Sequence, residues 1–292
     1  GLANGFFGPG SILARMCKVF KKNNPNTELY AIALSEVGAG ARASGNIRFT
    51  GSASGAGTVF LLVGGVGVKT PVASGWSAGD VASAVVSDIN ANSQLACKGS
   101  IGTFSAGVQG NANIMARASC ALGNQFDFRL NYYEGESNPV GITMSVAAMA
   151  GGASNPDIGD AWAIVENEQF HHIVQPYTDA TNLTEVEGEL ATRFLPLTDL
   201  GGHGYTAYRG TQASCTTLGN GRNSPHNTVM GFDDSPTNPD EWAAALGAVA
   251  AAALNNDPAR PLQFLQLKGI LPPPVDKRFT RTERDTLLYD GV

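Results

Sequence analysis

The sequence predicts an α/β protein in two parts. One is a discontinuous core built on a mainly parallel sheet, and the other is a β-rich domain inserted into that core. Three observations predict this. Helical and strand-like periods alternate at the start of the chain and again after Asn155. Between about residues 39 and 153 the style changes to short runs rich in Gly, Ser, Thr, Ala and Val. The flanks of that stretch, residues 37–43 and 151–155, are rich in Gly and Ala, as linkers are. The expected division is therefore 1–38 for the first part of the core, 39–153 for the insert and 154–292 for the rest of the core.

The first element is a helix over residues 11–22, with Ile12, Leu13, Met16, Val19 and Phe20 at helical spacing and Pro25 as its stop. Residues 28–34, ELYAIAL, read as a buried strand. Within the insert, residues 46–50, 58–63 and 66–72 read as strands, with Gly64 and Gly65 turning between the last two. A helix over residues 76–90 carries Val81, Val85 and Ile89 at four-residue spacing. Strands over 113–118, 126–132 and 142–147 complete the insert.

After Asn155 the sequence predicts a helix over 157–170 and a strand over 171–175. The next helix is expected to begin at Asn182, with Glu185 as its capping-box partner and Leu183, Val186, Leu190 and Phe194 facing the core. A strand at 205–208, a helix at 211–218 and a strand at 228–232 follow. Asn238 is the expected cap of an Ala-rich helix, with Pro239 and Glu241 at its first and third positions. Thr280 and Glu283 form a further capping box, and Gly291 ends the last helix. Such alternation implies a mainly parallel sheet covered on both faces.

Composition narrows the function classes. Only 15% of the 292 residues are charged and 36 are Gly, a low-charge, small-residue surface suited to burial against neighbours. The net charge of −6 and the pI near 5.2 disfavour nucleic acid as a partner. Lys18, Lys21 and Lys22 lie near a helix end, where they favour the dipole. Cys17, Cys97, Cys120 and Cys215 are scattered, with no metal-ligand spacing, and read as reduced. No apolar run is long enough for a membrane-spanning helix.

Residues 221–274 are dense in geometric punctuation and poor in reactive groups. They hold NSPH (Asn223, Ser224, Pro225, His226), the helix start WAAA at 242–245, DPARPLQ at 257–263 (with Asp257, Pro258, Arg260 and Pro261) and LKGILPP at 267–273. With GPGSILARM at 8–16 and RFTRTERDTLLYDG at 278–291, which includes Arg284 and Asp290, these strings span nearly the whole chain. In this combination and order they resemble the tail sheath proteins of Mu-like contractile bacteriophages.

The resemblance implies a subtilisin-like core fold, so hydrolysis must be tested. Such sites need H-G-T-H for the base and G-T-S-M-A for the nucleophile. Here the nearest strings are His203-Gly204-Tyr205-Thr206 and Gly210-Thr211-Gln212-Ala213. Gln212 stands where the serine would be, and an amide cannot attack a carbonyl. Ser224 and His226 could share one side of an extended segment, but the residues read more simply as a turn. His171 and His172, adjacent on a strand, point to opposite faces and make a poor metal pair. The Gly-rich run at 64–70 lacks phosphate-loop spacing and reads as a hairpin, and residues 38–45 lack a dinucleotide fingerprint. Asp257 with Arg260 or Arg284 suggests either a fixed internal ion pair or a salt bridge between subunits.

The expectation is thus a non-catalytic structural subunit with no cofactor or metal. The resemblance implies six subunits per ring in the full-length protein, stacked on a tail tube and released by a baseplate. It places the protein in the virion tail, after assembly in the host cytoplasm, without nucleic acid or membrane partners. A sheath of a tailocin or other contractile injection system, or an α/β hydrolase, are the alternatives. Relative to the family both ends look cut, so the chain is expected to lack the terminal arms and to be monomeric.

Overall fold

The computed structural model describes residues 2–102 and 109–292. Gly1, and residues 103–108 within the expected insert, lie outside the described residues. The elements begin with α1 (Leu2–Phe7), α2 (Ile12–Asn23), β1 (Ser44–Gly51), β2 (Gly57–Val63), β3 (Val66–Val72) and α3 (Ala78–Ala91). There follow β4 (Cys97–Ile101), β5 (Gln109–Ala116), β6 (Phe128–Leu130), β7 (Ile142–Ala150), α4 (Gly159–Ile164) and β8 (His172–Val174). The last are α5 (Ala180–Arg193), β9 (His203–Arg209), α6 (Gln212–Asn220), β10 (Asn227–Phe232), α7 (Pro239–Asn256) and α8 (Arg281–Asp290). Helices and sheets are mixed, as an α/β protein requires. Among the described residues no helix is long and apolar enough to cross a membrane.

The chain divides into two compact units, Gly1–Ser11 with Glu36–Asn155, and Ile12–Ser35 with Pro156–Val292. The short helix α1 thus groups with the β-rich unit, whereas the expected first segment ran unbroken over 1–38.

In the first unit, one antiparallel sheet has the order β4-β5-β1-β7 and another the order β3-β2-β6. Gly64 and Gly65 turn between β2 and β3 with φ of 53° and 81°, the left-handed pair that a two-residue hairpin needs. Ser77 caps α3 and forms a capping box with Asp80. Val81, Val85 and Ile89 of α3 are fully buried with Ile47, Phe49, Val59, Leu61 and Ile114. Each such side chain stabilises the unit by roughly 1.5–3 kcal/mol. Ala41 and Ala153 exchange backbone hydrogen bonds of 3.2 and 3.1 Å, so the two ends of the β-rich stretch meet.

In the second unit, β10, β9 and β8 form a sheet in that order, and both pairings are parallel. Successive residues show what covers it. Val174 and Tyr205 face α7, where they meet Gly247, while Ile173 packs on Val186 and Leu190 of α5. Neighbours along a strand point to opposite faces, so helices lie on both. Gly247 is required by proximity, because a Cβ there would overlap the Val174 side chain. The small face of α7, with Ala243, Ala244, Ala245, Ala248 and Ala251 buried, allows this approach.

Several expectations need correction here. Residues 28–34 form no strand and pair with none among the described residues, and Tyr30 is exposed; Leu29 and Leu34 dock singly on separate clusters. The helix expected over 157–170 stops at Ile164. Asp179, not Asn182, caps α5: its carboxylate accepts from the Asn182 N–H at 3.1 Å. Asn182 lies in the first turn, where its side-chain oxygen instead accepts from the Ile158 N–H at 2.9 Å. Phe194 is 68% exposed, because α5 ends at Arg193 and Phe194 is its C-cap. Asn238 does occupy the cap of α7, but its side chain makes no capping hydrogen bond.

Candidate functional site

Three of the landmark strings converge in the second unit. From GPGSILARM, Ile12 and Met16 of α2 pack on Ala244 and Ala245 of α7 and on Leu267 and Ile270. Asn23, at the end of α2, exchanges hydrogen bonds with the Lys268 backbone at 2.8 and 2.7 Å. Arg15 reaches Asp240 at 2.8 Å, with both side chains nearly sealed from solvent. Burial pushes the Asp240 carboxyl up, and the Arg15 guanidinium draws it back down. Burial pushes the neighbouring Glu241 up to about 7, with a further rise from Asp240 and opposing pulls from Arg15 and Lys18.

Ser235 closes this junction. Its fully buried hydroxyl donates to the Leu271 carbonyl at 2.7 Å and accepts from the Trp242 indole N–H at 3.0 Å and the Thr237 N–H at 3.1 Å. Trp242 stacks on Phe232 with centroids 4.5 Å apart. The start of WAAA and the LKGILPP segment are thereby tied through one serine that the sequence reading did not single out.

NSPH and the last helix form a second junction. Thr280 and Glu283 make the expected capping box of α8, and Gly291 ends it with φ of 89°. Asn223 adopts φ of 42° beside it. The hydroxyl of Ser224 accepts from the His226 backbone N–H at 3.3 Å, a turn that Pro225 stiffens. Asp290, at the end of α8, places its backbone carbonyl against Gly219 of α6.

The remaining motif residues face solvent. Asp257 caps α7, and its carboxylate accepts from the Ala259 N–H at 3.0 Å. Pro258, Arg260, Pro261 and Arg284 are exposed, and no ion pair joins Asp257 to Arg260 or Arg284 among the described residues.

The candidate hydrolytic groups are not brought together. His203 begins β9, whereas Gln212 follows its other end, about 20 Å away at ~3.3 Å per strand residue. The His226 ring lies against Phe194, 5.4 Å between centroids, while the Ser224 hydroxyl is engaged by backbone. Cys215 is buried, and its thiol is pushed up to about 11.

The four histidines of the chain do share one place. His172 and His203 are register partners at the start of β8 and β9, and His226 directly precedes β10. Gly201, Gly202, His203, Pro225, His226 and Phe194 line a shallow groove there. Among the described residues no cluster of three or more His, Cys, Asp or Glu side chains is placed to hold a metal ion. Arg193 is a further residue the sequence reading missed. Its guanidinium donates to the carbonyls of Val165, Glu166 and Glu168 and lies 5.1 Å from the Trp162 ring. It thus occupies the carbonyls left open where α4 stops.

These elements define an α/β module whose motif residues act as packing junctions and exposed turns. Residues 151–292 match the family model described as the phage tail sheath protein central domain. The chain is also 37% identical over 291 residues to the Mu-like prophage FluMu tail sheath protein of Haemophilus influenzae, across 99% of its own length and 58% of that protein's. The chain belongs to the phage tail sheath family, and it spans a little over half of that relative.

Proposed function

We propose that this chain is the central part of a structural subunit of a contractile phage tail sheath. The observation that carries this reading is the 37% identity to a tail sheath protein over essentially the whole chain. On this reading, subunits stack as rings of six around a tail tube in the virion tail, after assembly in the host cytoplasm. A baseplate signal lets them rotate and repack, which shortens the sheath and drives the tube through the host envelope. The work comes from exchange between two packed arrangements, so no cofactor, nucleic acid or membrane partner is required.

The core is taken to be a subtilisin-like fold without catalysis, and the β-rich unit an insertion in it. Two features support this: parallel strands β8 to β10 with helices on both faces, and the meeting of Ala41 with Ala153. Ser224, His226 and Asp290 serve internal packing, and the exposed Asn223 and Pro225 shape the turn that holds them. Asp257, Arg260 and Arg284, unpaired with one another, are left to form salt bridges to a neighbouring subunit.

Negative-stain electron microscopy of the complete gene product carrying this sequence tests the reading. Sheath-like tubes are expected; a product that never polymerises would overturn it. A fluorophosphonate probe tests the non-catalytic part: labelling that disappears in Ser224→Ala would revive the hydrolase alternative. The 292-residue chain alone is expected to scatter light as a monomer.

A further inference from the structure

We propose that the N-terminal edge of the β8-β9-β10 sheet is an acid-sensitive clasp, closed while the His172 and His203 imidazoles are neutral and loosened when they take up protons. The geometry is specific. His172 and His203 are register partners on adjacent parallel strands, so their side chains share the α7 face. The Nδ1 of His172 is 3.2 Å from the Tyr205 hydroxyl, and the Nε2 of His203 is 2.8 Å from the Thr228 hydroxyl. The His203 ring also meets the Tyr205 ring edge-on, 5.1 Å between centroids. The backbones of the other two histidines hold the same strand: His171 and His226 carbonyls accept from the N–H groups of His203 and Gly204 at 3.0 and 2.8 Å. Histidines therefore stand at the start of all three strands.

Several acidic side chains on the surrounding elements have partners or neighbours elsewhere. On α5, Glu189 pairs with Arg193, Glu187 with Arg222, and Glu185 lies against Gly159. Asp257 at the end of α7 is bound to the Ala259 N–H, Glu28 to the Tyr30 hydroxyl, and Glu168 acts on Tyr30. The charges that act on His172 and His203 come from the other histidines: His171 on the first, His172 and His226 on the second. Burial, the larger cause, and these like charges hold both rings below the ordinary histidine value, while a hydrogen bond with Asn255 of α7 partly offsets the effect at His172. A depressed value in the folded state gives stability that is present above the unfolded pKa of about 6.5 and lost as pH falls through the folded value. Both hydroxyl partners can accept as well as donate, so protonation need not break their bonds. The loosening comes from charge carried into a half-buried site beside other charges.

Two measurements test this. In the unmodified chain, NMR titration of the ring carbons is expected to show His172 and His203 half-protonated below pH ~6.5, whereas titration of both at or above that value would overturn the proposal. In parallel, the urea midpoint is measured near pH ~7.5 and ~5, in a Glu241→Gln background that removes an opposing contribution. Acid is expected to lower the midpoint, and the double variant His172→Gln/His203→Gln is expected to lose at least about half of that fall. An equal fall in the double variant would overturn the proposal. Should the variant not fold, the ring titration decides alone.

Discussion

Gly291 ends the last helix directly on the backbone of Asn223, so that a Cβ added at Gly291 would lie 2.9 Å from the Asn223 Cα. Both residues are left-handed, with φ of 89° and 42°. Glycine meets both demands, having no side chain to clash and no penalty for positive φ. Asn is among the residues that tolerate the same region. The two motif strings NSPH and TLLYDG are thus two sides of one contact.

Gly291→Ala is expected to destabilise the second unit by about 1–3 kcal/mol, from backbone strain plus the displaced turn. Urea unfolding checks it. Asn223→Gly should change stability by well under half of that, since glycine accepts the same φ. A Gly291→Ala variant as stable as the parent would mean the junction yields freely.

The buried pair Arg15–Asp240 makes a prediction of two parts. Arg15→Met alone should cost about 3–5 kcal/mol, because Asp240 is left sealed from water without its counter-charge. Arg15→Met with Asp240→Leu should recover much of that loss, since apolar replacement of both members of a buried pair is often neutral or better. Urea midpoints of the two single variants and the double give the coupling. Purely additive losses would show that the ion pair is not what joins α2 to α7.

How far all this is readable in the sequence depends on the kind of signal. The strands β2 and β3, the helices α3 and α8 and the cap at Thr280 follow local rules, and the structure places them within a few residues of expectation. The errors fall where tertiary partners decide. Residues 28–34 have strand composition but no ladder neighbour among the described residues. At the end of α5, helical spacing favours Phe194, yet Arg193 takes the buried position because it serves the open carbonyls after α4. β4 escaped notice because Cys97–Ile101 is short and holds a central Gly. The candidate site was legible as strings but not as contacts. Nothing in the spacing of residues 171, 203 and 226 says that they meet, because parallel pairing joins residues far apart in sequence.

The raised value of Glu241 sets a pH dependence with a definite sign. Its carboxyl is pushed up to about 7, above the ordinary 4.5, so the folded state holds its proton more tightly than the unfolded chain does. The associated stability is fully present below about pH 4.5 and lost as pH rises through about 7. Glu241→Gln should therefore match the parent near pH ~4.5 and exceed it by about 1–3 kcal/mol near pH ~8. Urea titrations at the two values check it. A constant difference between parent and variant across that range would show that the carboxyl is not buried in its acid form.

The last prediction concerns the autonomy of the second unit, on the proposal that the β-rich stretch is an insertion. The parallel sheet takes its strands β8, β9 and β10 from residues after 155, and among the described residues neither antiparallel sheet shares a strand with it. The Arg15–Asp240 pair and the Asn23–Lys268 bonds, which fix α2, also lie within the second unit. Ala41 and Ala153 are hydrogen-bonded neighbours, so a short linker replacing residues 42–152 needs to span only a strand-to-strand gap, about 5 Å. Closing so short a loop adds little entropy cost. The deleted chain should fold cooperatively, keep mixed helix and strand signals by circular dichroism, and show the Arg15–Asp240 coupling predicted above. A deletion product that is molten or aggregated, while a control with the linker inserted at 41–42 of the intact chain folds, would show that the core depends on the β-rich unit and would defeat the insertion reading.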